Sequence, residues 1–301
     1  MKAAFMVLAH KSFEQIVYLI HALHHSAIDV YIHVDKKNEE LYSQLSNKYK
    51  HNGSVNILRN RVSVNRGGFS QVEAILALMK ETAQKKYQYV SLISGQCFPI
   101  KSVDYILNFL EENKGNQFVE GGGIGPNFWR LKCFNFFSEN KHNRKTVIRV
   151  LDNIFRRPQK VLIRRKNLQG YGLYKGSSWF TITHDCLKYM LNHIDQNPIY
   201  LSDYKFTYCP DESFFHNLIL NSEYKKNVIN NDLMEIDWIH HFQGSPRVYS
   251  MDDYGTLKSS DKLFARKFDI EHDKEIVLKL MNDAEKPTCA DEENHKWRNV
   301  L

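Results

Sequence analysis

The chain has 301 residues, of which 43% are hydrophobic and 25% charged, the balance of a folded protein with room for one α/β domain or two small ones. A net charge of +7 and a pI of about 9.0 favour anionic partners without choosing among phosphates, nucleic acid and an anionic membrane. Five scattered cysteines (Cys97, Cys133, Cys186, Cys209, Cys289), odd in number and without a C-x-x-C pair, argue against a zinc site or a disulfide framework and for a reducing compartment.

The apolar opening, Ala3 to Ala9, stops at His10-Lys11. It is too short for a signal sequence or a membrane span and predicts a buried first strand. The expected location is the cytoplasm, with peripheral attachment to the inner face of the cytoplasmic membrane as an option. A helix is expected over Phe13–His24, with Ser12 as N-cap and Gln15 closing a capping box. A strand follows at Asp29–Asp35, a polar helix at Asn38–Lys48 and a strand near Val55–Leu58. Ser70-x-x-Glu73 reads as a second capping box opening a helix at Gln71–Ala83, and Tyr89–Ile93 as a further strand. Alternating short apolar strands and amphipathic helices predict an α/β fold with a Rossmann-like, mainly parallel sheet flanked by helices.

Ligands of such sheets sit beyond the carboxyl ends of the strands. His10, Asp35, Arg66-Gly67-Gly68 and Ser94-Gly95-Gln96 occupy those ends, and together they suggest a cleft. There is no G-x-G-x-x-G at the first turn and no G-x-x-x-x-G-K-[ST] anywhere, so dinucleotide and P-loop readings have no support.

Residues 122–142 are rich in aromatics, including Phe128, Trp129, Phe134, Phe136 and Phe137. They read either as an acceptor-facing loop, since aromatic faces suit sugar rings, or as core. Asn143–Phe155 collects Val147, Ile148, Val150, Leu151, Ile154 and Phe155 on one helical side, with Arg and Lys residues running on to Lys166. A basic amphipathic helix fits either an anionic bilayer surface or docking on the protein itself. Nucleic acid is not an expected partner, because the aromatics and basic residues are not interleaved.

Next, Gly176-Ser177-Ser178-Trp179 moves from a Gly/Ser turn into a strand, with two hydroxyls and a stacking face available to a polar ligand. In Tyr208-Cys209-Pro210-Asp211-Glu212-Ser213, Asp211 is placed to cap a helix that carries Phe214 and Phe215, and Glu212 lies in its first turn as a candidate general base. Ser260 or Asp261 is expected to cap a short helix bearing Arg266 and Lys267, and a terminal helix and polar tail follow Glu275. No repeat or low-complexity linker interrupts the chain, which predicts one catalytic domain over residues 1–301.

Taken in order, Tyr31–Asp35, Gly67–Ala74, Ser94–Ser102, Gly176–Phe180, Pro210–Phe215 and Leu263–Phe268 resemble the core-2/I-branching glycosyltransferases. That family (glycosyltransferase family 14) includes N-acetylglucosaminyltransferases, the peptide O-xylosyltransferases and many bacterial members, and the resemblance covers roughly residues 1–270. It implies a GT-A-like nucleotide-sugar transferase fold and an inverting transfer from a UDP-sugar to a glycan or lipid-linked acceptor. It also implies Glu212 as the base and Lys267 as one of the cations that neutralise the diphosphate in place of a metal. Arg247 is the first candidate for the partner cation, Arg266 the second, and residues 236–270 form the diphosphate-binding part. Asp35 is expected at the uracil or ribose. No metal or other cofactor is expected, since an Asp-x-Asp pair is absent and Glu235-Ile236-Asp237 is a weak substitute. A non-catalytic carbohydrate- or lipid-binding protein on the same fold is the alternative.

Overall fold

The computed structural model describes residues 1–123, 129–140, 142, 145–162, 172–240 and 244–284. The first part alternates as expected: β1 (Ala3–Ala9), α1 (Phe13–Ala22), β2 (Ile28–Val34), α2 (Glu39–Lys48), β3 (Val55–Ile57), α3 (Ser70–Thr82) and β4 (Tyr89–Ser94). Then come β5 (Cys97–Pro99), α4 (Val103–Glu112), β6 (Gln117–Gly123), α5 (Trp129–Lys132), α6 (Thr146–Leu162), β7 (Tyr174–Thr183), α7 (His184–Gln196), α8 (Pro198–Tyr204) and α9 (Phe214–Leu220). The described chain ends with β8 (Val228–Ile229), β9 (Met234–Ile236), α10 (Tyr254–Ser259), β10 (Phe264–Arg266) and α11 (Lys274–Ala284).

The main sheet has the order β3-β2-β1-β4-β7-β6-β8, and a small second sheet the order β5-β10-β9. In the main sheet β7 runs antiparallel to both neighbours, while the other strands run one way. The expected mainly parallel sheet flanked by helices is therefore what forms. Side chains of β1 alternate between two cores, as a strand covered on both faces requires. Phe5 and Val7 join Ile16, Leu19, Ile106 and Ile276 on one side. Ala4 and Met6 join Val72, Met79, Leu187 and Phe214 on the other.

Several local expectations are corrected, each because a distant partner outcompetes a local one. Ser12 does cap α1 through the Gln15 N–H, but the Gln15 side chain does not return the bond. It donates instead to the carbonyls of Gly95 (2.8 Å) and Phe268 (3.1 Å) and accepts from the Ile270 N–H. Ser70 lies inside α3, not before it. The cap is supplied by Glu139, whose carboxylate accepts from the Ser70 N–H (2.6 Å) and Oγ (3.0 Å), where the helix dipole favours an anion. Arg266 stands on a strand, β10, rather than on a helix. Likewise Gly176, Ser177 and Ser178 are part of β7, not of a turn before it.

Asp211 and Glu212 sit in a one-turn 3₁₀ segment, Pro210–Glu212, and α9 starts only at Phe214 with no side-chain cap. What fixes this turn is the burial of Phe214 and Phe215 just after it (0% and 1% exposed), worth roughly 1.5–3 kcal/mol for each ring. The basic helix begins at Thr146 and continues to Leu162 with Pro158 inside it; Asn143, Arg144 and residues 163–166 lie outside the described residues. Phe128, Cys289 and the tail from Glu285 also lie outside them.

Candidate active site

Because β1, β2 and β4 are parallel, Ala9-His10, Asp35 and Ser94 emerge at one edge of the sheet. Strand β7 opposes β4 with Phe180 facing Leu92, so its first half, Lys175 to Trp179, is carried past the same edge. A cavity of about 1830 Å³ opens there. Single small-molecule pockets usually run from about 300 to 1,000 Å³, so this one has room for two substrates.

One end is cationic. Arg266 Nη1 donates to Ser94 Oγ (2.5 Å) and its guanidinium lies over the Trp179 ring at 4.9 Å. Lys267 Nζ reaches Ser245 Oγ at 3.4 Å. Among the described residues neither has a carboxylate within ion-pair distance. Burial, then the neighbouring Arg266 and Lys11, hold the Lys267 ammonium below its usual pKa. His10 is likewise pushed below the usual histidine value, by burial and then by Arg266 and Lys11. Arg66 joins this end with a bond from Nη2 to the Gly244 carbonyl (2.7 Å). Arg266 and Lys267 thus bring positive charge to the pocket with no carboxylate paired to either among the described residues, a demand an anionic group would meet.

The other end holds Glu212. Its Oε2 accepts from Arg130 Nη1 (2.6 Å) and pairs with Lys175 Nζ (2.9 Å). Oε1 accepts no hydrogen bond among the described residues. Trp129 and Tyr208 stack beside it, ring centroids 5.9 Å apart, and Arg156 lies over Trp129 at 4.0 Å. Aromatic faces of this kind suit the apolar face of a sugar ring.

Between the two ends, Asp211 is buried. Its Oδ2 accepts from Ser178 Oγ (2.7 Å) and Gln71 Nε2 (3.4 Å), and Oδ1 has no hydrogen-bond partner. Burial, then the charge of Glu212, push its carboxyl up to about 6. A carboxylate raised in this way favours the folded state while protonated, and that stability is lost as pH rises from the usual value of 3.8 through about 6. Asp211→Asn, which cannot ionise, should therefore gain on the natural protein between pH 4 and pH 7.5, by about 3 kcal/mol at most. Urea unfolding of both proteins at the two pH values reads this difference, and parallel pH dependences would refute it.

Of the residues expected at the site, Glu212, His10, Asp35, Arg66, Ser94, Gln96, Ser177, Ser178, Trp179, Asp211, Arg266 and Lys267 line this cavity. Asp35 Oδ1 is partly engaged, accepting from the N–H groups of Lys37 and Val64. Gly95 sits behind the wall, its N–H on the Leu8 carbonyl and a hypothetical Cβ 3.2 Å from Ile16. Arg247 is not brought to the cavity. Its guanidinium is held by Asp237 (2.8 Å) and, in bidentate fashion, by Asp253 (2.6 and 3.1 Å), which makes it a clamp within residues 237–253. Asp237 also engages His240, and among the described residues no three His, Cys, Asp or Glu side chains converge as metal ligands.

A family model described as Core-2/I-Branching enzyme matches residues 3–258. The chain belongs to the Core-2/I-branching enzyme family. This is a family of glycosyltransferases, as the ordered motifs implied. Among its relatives, the xylosyltransferase oxt of Drosophila melanogaster is 24% identical over 300 residues, 92% of this chain and 33% of that protein. Xylosyltransferase 2 of Rattus norvegicus is 25% identical over 299 residues, again 92% of this chain and 33% of the relative. The chain thus spans about a third of the length of these curated relatives. Among solved structures, an inositol-1-phosphate CTP transferase from T. maritima aligns over 96% of this chain and 98% of its own at a TM-score of 0.41 and 11% identity, too slight a likeness to argue from.

Two residues of this Core-2/I-branching member escaped the sequence reading: Arg130 and Lys175, which hold Glu212. Arg130 is 82 residues from its partner, and no local pattern announces the pairing. Lys175 stood in plain view beside Gly176. A Cβ on Gly176 would lie 1.6 Å from the Glu120 carbonyl oxygen, so β6 and β7 approach too closely there for any side chain, and this fixes Lys175 beside the pocket.

Proposed function

We propose that the chain is an inverting, metal-independent glycosyltransferase. It moves a sugar, GlcNAc or xylose, from a UDP-sugar to a hydroxyl of a glycan or lipid-linked acceptor and forms a β-glycosidic bond. The observation that carries this reading is the division of one cavity into a cationic end, Arg266-Lys267, and a carboxylate end, Glu212.

The donor's diphosphate lies against Arg266, Lys267 and Arg66, with Trp179 and the ends of β1 and β4 around it. The nucleoside reaches toward Asp35. Glu212 removes the acceptor hydroxyl's proton, on the Oε1 oxygen, as that hydroxyl oxygen attacks the anomeric carbon from the face opposite the departing UDP. The C–O bond to the acceptor forms as the bond to the diphosphate breaks, and the configuration inverts. Arg130 and Lys175 fix the carboxylate's orientation through Oε2. Charge that develops on the leaving diphosphate is offset by fixed guanidinium and ammonium groups, the role a divalent ion would otherwise fill. The relatives named as xylosyltransferases support xylose as a donor sugar to test first.

The test is release of UDP from a panel of UDP-sugars, UDP-xylose and UDP-GlcNAc foremost, with a saccharide acceptor present. Turnover is expected to survive EDTA within about twofold, because the cations on this surface are covalently part of the chain. Loss of activity in EDTA with recovery on adding Mn²⁺ would contradict the cationic account. Tight UDP-sugar binding with no UDP release from any donor would favour a binding protein instead.

A further inference from the structure

Helix α6 shows two different sides. Ile148, Arg149, Asp152, Asn153 and Arg156 line the cavity. Val147, Val150, Leu151, Ile154 and Phe155 are exposed, from 37% at Leu151 to 68% at Val147. At 100° per residue these five fill an arc of about 140°, the width of a stripe that normally faces a core. The stripe does not stop at the helix. Phe155 meets Phe136 and Phe137 (centroids 6.5 and 6.0 Å), and Phe136 meets Phe206 (5.8 Å). Phe136 and Phe206 are themselves 52% and 42% exposed. A continuous apolar surface of this kind marks a place of interaction.

Charge identifies the partner. Residues 143–166 contain nine Lys and Arg against one acid, Asp152, a net +8 when the whole chain carries +7. The excess positive charge of the protein is thus concentrated in this one stretch of the sequence. A second copy of the chain would set +8 against +8. A nucleic acid would match the charge and leave the apolar stripe in water. An anionic lipid surface meets both demands at once: acyl chains receive the stripe while headgroups receive Lys145, just before the helix, and Arg157 on it, both exposed.

We infer that α6 and the adjoining phenylalanines form an interfacial surface that docks the protein on an anionic bilayer. Because the opposite side of α6 is a wall of the cavity, docking brings one side of the cavity to the headgroup layer. No described helix is long and apolar enough to cross a membrane, so attachment through this surface is peripheral. The inference stands apart from the transferase reading and is tested without any donor.

The full chain is sedimented with vesicles of phosphatidylcholine alone and of phosphatidylcholine mixed with phosphatidylglycerol. Partition is expected onto the mixed vesicles and to fall with added salt. Val150→Gln with Ile154→Gln should lower it at least about tenfold. Lys145→Gln with Arg157→Gln should lower it roughly 25-fold. All four positions are exposed, and unchanged thermal melts would show that the variants still fold. Equal partition onto both vesicle types, or unchanged partition of the variants, overturns the inference. So does a dimer in light scattering that the Val150/Ile154 variant dissociates, or binding to an oligonucleotide tighter than to the mixed vesicles.

Discussion

Glu212→Gln is expected to retain the fold and UDP binding and to lose roughly 10²–10⁴-fold in transfer, the contribution of a well-placed general base. Gln keeps the shape of the side chain and can still accept from Arg130, but it cannot take up the acceptor's proton. The substitution also leaves Arg130 and Lys175 without their common counter-charge. All three groups are partly solvated, so the cost in stability should stay near that of a surface pair, about 1 kcal/mol or less. Turnover and UDP affinity measured on the same preparation separate the two effects. A Gln variant that transfers sugar near the natural rate would remove Glu212 from the mechanism.

The second large effect belongs to the cationic end. Lys267→Ala should weaken UDP binding about tenfold, and Arg266→Ala with Lys267→Ala by 10³-fold or so, since each charge-assisted bond to a phosphate contributes roughly 1.5–3 kcal/mol. The stability of the nucleotide-free protein should move the other way for Lys267→Ala. Burial and Arg266 hold the lysine below its usual pKa, so at neutral pH the folded state bears the cost of keeping it charged. Isothermal titration with UDP and thermal melts without it test the two halves. Unchanged UDP affinity in the double variant would show that the nucleotide lies elsewhere. The asymmetry between stability and binding is the usual mark of a site arranged for a ligand.

The parts of this protein that could be read from sequence are those decided by local chemistry. The buried runs Ala3–Ala9 and Ile28–Val34 announce parallel strands because both their faces are covered, so apolar residues need not alternate with polar ones. The turn at Pro210–Glu212 was legible as the place of a carboxylate, though its form was not, since burial of two phenylalanines and not a cap sets the start of α9. Both capping boxes failed in the same manner. Glu139, far along the chain, and the carbonyls of Gly95 and Phe268 offered better partners than the local ones. Arg247 illustrates the converse: the acids that hold it, ten residues before and six after, were visible, and a basic residue so placed is readily satisfied within its own loop. For α6 the 3.6-residue period was plain, but periodicity does not say which side of a helix meets the protein.

Strand β7 runs against its neighbours, and along it Lys175 touches Glu212, Ser178 touches Asp211 and Trp179 underlies Arg266. On the proposed reading, acceptor chemistry and donor recognition would then share a single strand, at Lys175, Ser178 and Trp179. Any redesign that shifts this strand by one residue would invert all these side chains together. Retargeting the enzyme to a new donor is for that reason better sought in the loop around Ser245 or at Asp35, where a change leaves the shared strand in register.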